Sequence, residues 1–286
     1  MKISKMLCVV ALLSSAFLFS CRKEKLETIT SAEDNSTAES EFTAAFDLGD
    51  DVASGDSRFK KASSTILPSG AVLTVTDSLF TDGDSKEFFI DFGAKGSTAP
   101  FGLLCGDGRY RAGKIHFTLT GPYLTVGSVL TINIDDADQY FSGNGAEMTQ
   151  ITGKKVITRT QTNQFTVDVT NGKAINDKGT INWQANRTIT KITDAGPGLV
   201  GDVFEIIGTA SGTNRNGEVF TVDITVPLKK KIQIGCANTF VKGKLTLKNT
   251  DTSKEINVDY DPFNDEACDK TAQATINGKK FTYTVR

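Results

Sequence analysis

Carboxylates are the side chains of this sequence best placed to do chemistry. They gather as Asp82 and Asp84, as Asp135, Asp136 and Asp138, and as Asp259, Asp261 and Asp265. Two carboxylates facing across a cleft can hydrolyse a glycosidic bond. Clustered oxygens can hold calcium when they fall at fixed loop offsets around a glycine turn. Asn257-x-Asp259-x-Asp261 is followed by Pro262 and not by glycine, which leaves Asp135, Asp136 and Asp138 as weak calcium candidates. Turn formation, in which Asp accepts from backbone N–H groups just downstream, accounts for all three clusters without a ligand. No metal is therefore assigned.

His116 is the only histidine and no Cys-x-x-Cys occurs, which excludes multi-histidine and paired-cysteine zinc sites. His116 alternates with threonines, so a solvent-facing or hydrogen-bonded imidazole is expected there. There is no Gly-x-Ser-x-Gly elbow, phosphate-cradling glycine loop or dinucleotide fingerprint, and no catalytic residue or cofactor is assigned. Trp183, the only tryptophan, shares strand parity with Ile181 and is expected in the core. Asp107, Arg109 and Arg111 share parity with Ile115 and Phe117. Either a bulge at Gly113 flips the register and turns them outward, which is the favoured reading, or an arginine lies paired beneath the sheet edge.

The elements that position these groups read as strands. Ile115, Phe117 and Leu119 alternate with His116, Thr118 and Thr120; Leu130, Ile132 and Ile134, Phe165, Val167 and Val169, and Phe220, Val222, Ile224 and Val226 repeat the pattern. Period-two alternation rich in β-branched and aromatic residues marks strands with one wet face. Asn171-Gly172, Asn216-Gly217 and Asn277-Gly278 fall between such runs and predict type I′ hairpins. A form Phe-x-(Ile/Val)-Asp-apolar recurs at Phe88, Phe165 and Phe220, putting Asp91, Asp168 and Asp223 on wet faces as cross-strand polar partners. The last two copies lie in a longer match offset by 55, with Ile151-Thr152-Gly153 ahead of one and Ile206-Ile207-Gly208 ahead of the other. The predicted fold is all-β and antiparallel: a sandwich-like or elongated body of three degenerate units, in two lobes at 42–193 and 199–286 hinged near Asp194-Ala195-Gly196-Pro197-Gly198. Cys236 and Cys268 flank the strands of the third unit, and a bridge between them would contribute about 3–4 kcal/mol in the chain-entropy model. Cys105 is then a buried free thiol.

Lys2 and Lys5, the apolar run from Leu7 to Phe19 and Ser20 before Cys21 have the layout of an export signal over residues 1–20. Leu18-Phe19-Ser20-Cys21 resembles the lipobox of bacterial lipoproteins, which makes Cys21 the expected lipidation site and anchors the chain to a membrane. Two or three acyl chains hold a protein stably on a bilayer where one does not. From Arg22 to Ser40 the chain is polar and lacks an apolar period, so residues 21–41 are expected to be a flexible tether. The leader holds two of the 32 basic residues and none of the 34 acidic ones, leaving an acidic mature chain and arguing against nucleic acid as a partner.

Ile90-Asp91-Phe92-Gly93, the run Cys105 to Ile115, Trp183 with Arg187-Thr188, Asp259-Tyr260 with Cys268-Asp269-Lys270, and Ile276-Asn277-Gly278-Lys279 resemble a group of uncharacterised lipoproteins of Bacteroidota. The resemblance implies a lipid-anchored envelope protein, with the outer membrane favoured and the folded body in the periplasm or at the cell surface. The expected function is non-enzymatic, binding an envelope protein or a glycan, or structural, through loops or a Thr-rich strand face. The alternative is a carboxylate-dependent hydrolase acting on glycans, which requires a cleft with two facing carboxylates, at least one of raised pKa.

Overall fold

The computed structural model describes residues 3–54, 64–76, 85–196, 199–233, 236 and 239–285, with side chains from Ile29 onward. One helix, α1 (Ile3–Ser54), precedes sixteen strands. These are β1 (Val72–Val75), β2 (Lys86–Asp91), β3 (Leu103–Leu104), β4 (Tyr110–Ala112), β5 (Lys114–Leu119), β6 (Val129–Ile134), β7 (Phe141–Gly143) and β8 (Met148–Gln161). The remainder are β9 (Gln164–Asn176), β10 (Gly179–Thr193), β11 (Val203–Thr213), β12 (Val219–Lys231), β13 (Lys242–Asn249), β14 (Glu255–Asp259), β15 (Thr271–Ile276) and β16 (Lys279–Thr284). They form one antiparallel sheet in the order β1-β2-β5-β6 followed by β8 to β16 in sequence, with β3, β4 and β7 branching from β8.

The all-β antiparallel prediction describes the body. The division into two lobes does not: β10 and β11, on either side of the expected hinge, pair from Asn182↔Thr213 to Thr193↔Val203, so the sheet runs unbroken across it. Asn277-Gly278 does turn β15 into β16 with both residues at positive φ, as a type I′ turn demands. Asn171-Gly172 lies inside β9, with Asn171 at φ +53. It forms a bulge opposite the register shift between Trp183 and Ala185 of β10.

The largest departure is the tether. From Thr30 to Ala53 α1 is buried on every side apart from partial exposure at Glu33, and it packs against β6, β8, β9, β10, β13, β14 and β15. The sheet is therefore curled around a central helix. Between Ile29 and Ser54 the helix carries Glu33, Asp34, Glu39, Glu41, Asp47, Asp50 and Asp51, and no basic residue. A helix enclosed on all faces has no wet side and so shows no apolar period. Its polar residues instead meet partners on the inner face of the sheet. Arg187 grips Glu39 with Nε 3.1 Å from Oε1, Arg109 Nη1 donates to Glu41 at 2.7 Å, and Lys230 pairs with Asp47. Arg215, in the β11–β12 turn, donates through Nε to Asp34 at 2.6 Å and reaches Glu33 at 3.2 Å. Lys155 Nζ donates to the Phe42 carbonyl at 2.6 Å.

Apolar packing fills the spaces between these pairs. Phe42 stacks on Trp183 at 5.3 Å between centroids, and Phe46 meets Phe165 and Phe204 edge-on. Trp183 is in the core as expected, with its Nε1–H donated to Asn35 at 3.0 Å. Gly49 lets the helix approach the sheet, since a Cβ there would come within 3.0 Å of both Leu130 and Phe117.

Asp107, Arg109 and Arg111 are corrected too. Gly113 sits between β4 and β5 at φ +79, yet the register does not flip, and both arginines are buried on the inner side. Arg111 makes a bidentate pair with Asp107 at 2.8 and 2.6 Å. Burial pushes the Asp107 carboxyl up, but the Arg111 guanidinium more than offsets it and holds the group below the ordinary carboxylate value.

Breaking a buried pair leaves an uncompensated charge and costs about 3–5 kcal/mol. Glu39→Ala is therefore expected to lower the urea-unfolding free energy by that amount, and Glu39→Gln by less. A loss below about 1 kcal/mol for Glu39→Ala, the level of an exposed pair, would contradict this burial.

Candidate functional site

The outer face of β9 to β14 carries short polar side chains in two cross-strand rows. Register places Asp168, Asn186, Thr209, Asp223, Thr246 and Asn257 opposite one another in succession. Gln184, Ser211, Thr221, Lys248 and Glu255 make the neighbouring row. Strands lie about 4.8 Å apart, so each row offers a hydrogen-bonding group at that spacing. Between the rows runs an open groove of about 880 Å³. A second hollow of about 510 Å³ shares Gln184 and Ser211 and extends it toward Gly172 and Gly212.

The groove lies on the outside because the strands bend. Register shifts occur between Thr152 and Lys154, between Ile206 and Thr209, and between Val226 and Lys229. Bulges bend a strand and increase its twist. Gly153 and Gly208, the equivalent glycines of the 55-residue repeat, adopt φ +127 and +123 at two of these shifts. A Cβ on Gly208 would fall 2.2 Å from the Asn186 carbonyl oxygen.

Several groove groups are already tied together. Asn186 donates to Asp168 at 2.6 Å, Gln184 to Ser211 at 2.9 Å and Thr246 to Asn257 at 2.8 Å; Lys248 pairs with Glu255 at 3.4 Å. Asp223, flanked by Thr209, Thr221, Thr225 and Thr246, has no hydrogen-bond or ion-pair partner among the described residues. Asp168 and Asp223 stand three strands apart, roughly 14 Å. That exceeds the carboxylate separations of about 5–9.5 Å used by glycosidases.

The carboxyls that burial pushes upward are elsewhere. Asp47 is raised despite its Lys230 partner, and Asp50, which accepts from the Tyr123 hydroxyl, rises to about 6. Both are sealed inside on α1. Lys155 is likewise enclosed, and burial pulls its ammonium down to about 7. These groups face the helix–sheet interior and not a cleft.

The acids singled out in the sequence are engaged in turns. Asp138 accepts from the Asp135 N–H at 3.0 Å and contacts His116 at the same distance, while Asn133 donates to Asp135. No group of three or more His, Cys, Asp or Glu suited to a metal occurs among the described residues. Asp259 accepts from the Asp261 N–H, and Asp261 from those of Asp265 and Glu266. His116, at the surface, also stacks on Phe89 at 5.6 Å. Cys236 and Cys268 are bonded, with Cα atoms 4.8 Å apart, and join the β12–β13 and β14–β15 connections. Cys105 is buried and free, its thiol pushed up by burial. Asp82 and Asp84 and the side chain of Cys21 lie outside the described residues.

The burial of the acids of α1 is what the sequence reading missed. The signal for it was the core-facing parity of Arg109 and Arg187, which calls for acids inside. No protein family, curated protein or solved structure matches this chain, and among the described residues no helix is long and apolar enough to cross a membrane.

The buried groups give the fold a pH dependence of defined sign. Asp50 binds its proton more tightly when folded, so its contribution is complete below about pH 4 and is lost as pH rises through about 6, a change of roughly 3 kcal/mol. Lys155 binds its proton less tightly when folded, so stability rises again from about pH 7 toward 10.5. In urea titrations Asp50→Asn is expected to gain on the native chain by about 2–3 kcal/mol between pH 4 and pH 7. Parallel stability curves for the two proteins would refute the assignment.

Proposed function

We propose that this chain is a lipid-anchored protein of the bacterial cell envelope that binds a glycan in the groove on the outer face of β9–β14. The observation that carries the reading is the pair of polar rows along that groove. Hydroxyls, amides and carboxylates at strand spacing match the hydroxyl-rich surface of a sugar chain. Protein-binding patches instead concentrate aromatic residues, Met and Arg around an apolar centre; none of those residues lines the 880 Å³ part of the groove, and Trp183, in the hollow that extends it, is buried. The separation of Asp168 from Asp223 argues against that pair as the two carboxylates of a hydrolase.

The anchor reading rests on the leader, with Cys21 as the lipidated residue. Cys21 lies eight residues before Ile29, which is about 12 Å of helix. The buried part of α1 therefore begins close to the anchor, and the body would sit near the bilayer instead of at the end of a long leash. Incorporation of an azido fatty acid by the native chain, and not by Cys21→Ser, tests this part separately.

For the groove, the protein from Arg22 onward is screened on a glycan array. Binding is expected, and the double variant Asp223→Ala, Thr246→Val should weaken it by at least about tenfold, as loss of one or two hydrogen bonds implies, with an unchanged melting temperature. Absence of binding to any glycan, or binding untouched by the double variant, overturns the proposal.

A further inference from the structure

An ionised carboxylate accepts hydrogen bonds and donates none, so Asp223 fixes the kind of group that can seat beside it in the groove. Register sets Thr209 of β11 and Thr246 of β13 directly across from it, and Thr221 and Thr225 stand two positions away along β12; all four line the groove. The cations nearest by register are Lys244 and Lys248, each two positions along β13 from Thr246. Both turn to the next strand, Lys244 onto Asp259 at 2.8 Å and Lys248 onto Glu255 at 3.4 Å. Asp223 is thus an exposed carboxylate ringed by hydroxyls, with no cation of its own chain on it among the described residues.

The groove as a whole is biased the same way. Asp168, Asp223 and Glu255 line its 880 Å³ part against one base, Lys248, which Glu255 already holds. The hollow that extends it adds Lys173 and no acid, but β9 lies three strands from β12, roughly 14 Å. A sugar chain lying in the groove therefore meets, over Asp223, both an acceptor and a negative charge. A hydroxyl answers only the first. An ammonium answers both through a charge-assisted hydrogen bond, and the surrounding threonine oxygens can accept from its other N–H groups. An N-acetylated nitrogen has one donor and no charge, and a carboxylated or sulfated sugar would be repelled.

We propose that the groove selects glycans that carry a free amine, with the ammonium seated on Asp223. This rests on the glycan reading of the groove and goes further by naming the class of sugar. Its test is isothermal titration of the protein from Arg22 onward with the linear tetramer of glucosamine, with the fully N-acetylated tetramer and with tetralysine. The titrations are run at about pH 6, where an amine that titrates like a chain terminus, at about 7.7, keeps its proton. The amine tetramer is expected to bind about fivefold more tightly than the acetylated one, the upper range for an exposed charge pair, and added salt should shrink that advantage. Asp223→Asn, which keeps the shape and removes the charge, should abolish the difference without moving the melting temperature. Equal or tighter binding of the acetylated tetramer, an advantage kept in full by Asp223→Asn, or tetralysine binding as tightly as the amine tetramer would overturn the inference. If neither tetramer binds while other glycans bind on the array, this inference alone falls; if no glycan binds at all, the glycan reading falls with it.

Discussion

A helix with seven acids and no base between Ile29 and Ser54 can be buried only where donors meet it: Asp50 accepts from the Tyr123 hydroxyl, Asp51 from Ser64, Thr65 and Ile66, and the other five acids face cations. The inner face of the sheet supplies them from positions far along the chain: Arg109, Lys155, Arg187, Lys230 and, at the rim, Arg215. Each isolated charge would be prohibitively costly to enclose, and each pair gains back only part of its desolvation cost. Net stability must come from the aromatic and aliphatic contacts around them, such as Phe42 on Trp183 and Phe46 against Phe165 and Phe204. What the ion pairs fix is the register of helix against sheet, because sliding the helix by one turn would strand several charges at once.

The same requirement shapes the outside. A sheet that must surround a helix has to bend, and the glycine bulges at Gly153 and Gly208 supply bends at equivalent places in two hairpins. The groove with Asp168 and Asp223 lies across those bent strands. Enclosing the helix and presenting two polar rows are thus consequences of one repeated local feature. The repeat reads in the sequence as a 55-residue echo; its physical meaning is curvature.

Much of the sheet was legible. The alternation in β5, β6, β9 and β12 named both faces correctly, because a strand with one wet side writes its burial directly into period two. Trp183 and the Cys236–Cys268 pair were legible for similar local reasons. The helix was not. Its polarity obeys the composition rule for a solvated tether, and the rule fails because the compensating charges lie roughly 70 to 190 residues away in sequence. Arg109 and Arg187, at core-facing positions, were the visible half of that pattern. An outward-facing Arg109 calls for no buried acid, and Arg187 alone is a single clue. Asn171-Gly172 misled differently: Asn171 does take the left-handed conformation, but pairing across β9 and β10 uses it in a bulge and not in a hairpin turn.

The groove's polar rows were only half legible. The outward positions of Asp168 and Asp223 follow from alternation, whereas their alignment in one row follows from bulge-set register that single strands do not encode.

Hydrogen–deuterium exchange of the protein from Arg22 onward addresses the enclosed helix most directly. Amides of residues 30–53 should exchange as slowly as those of β9 to β12, through unfolding of the whole body. Complete exchange of that segment within seconds, while the strands stay protected, would show a solvated tether and contradict the account.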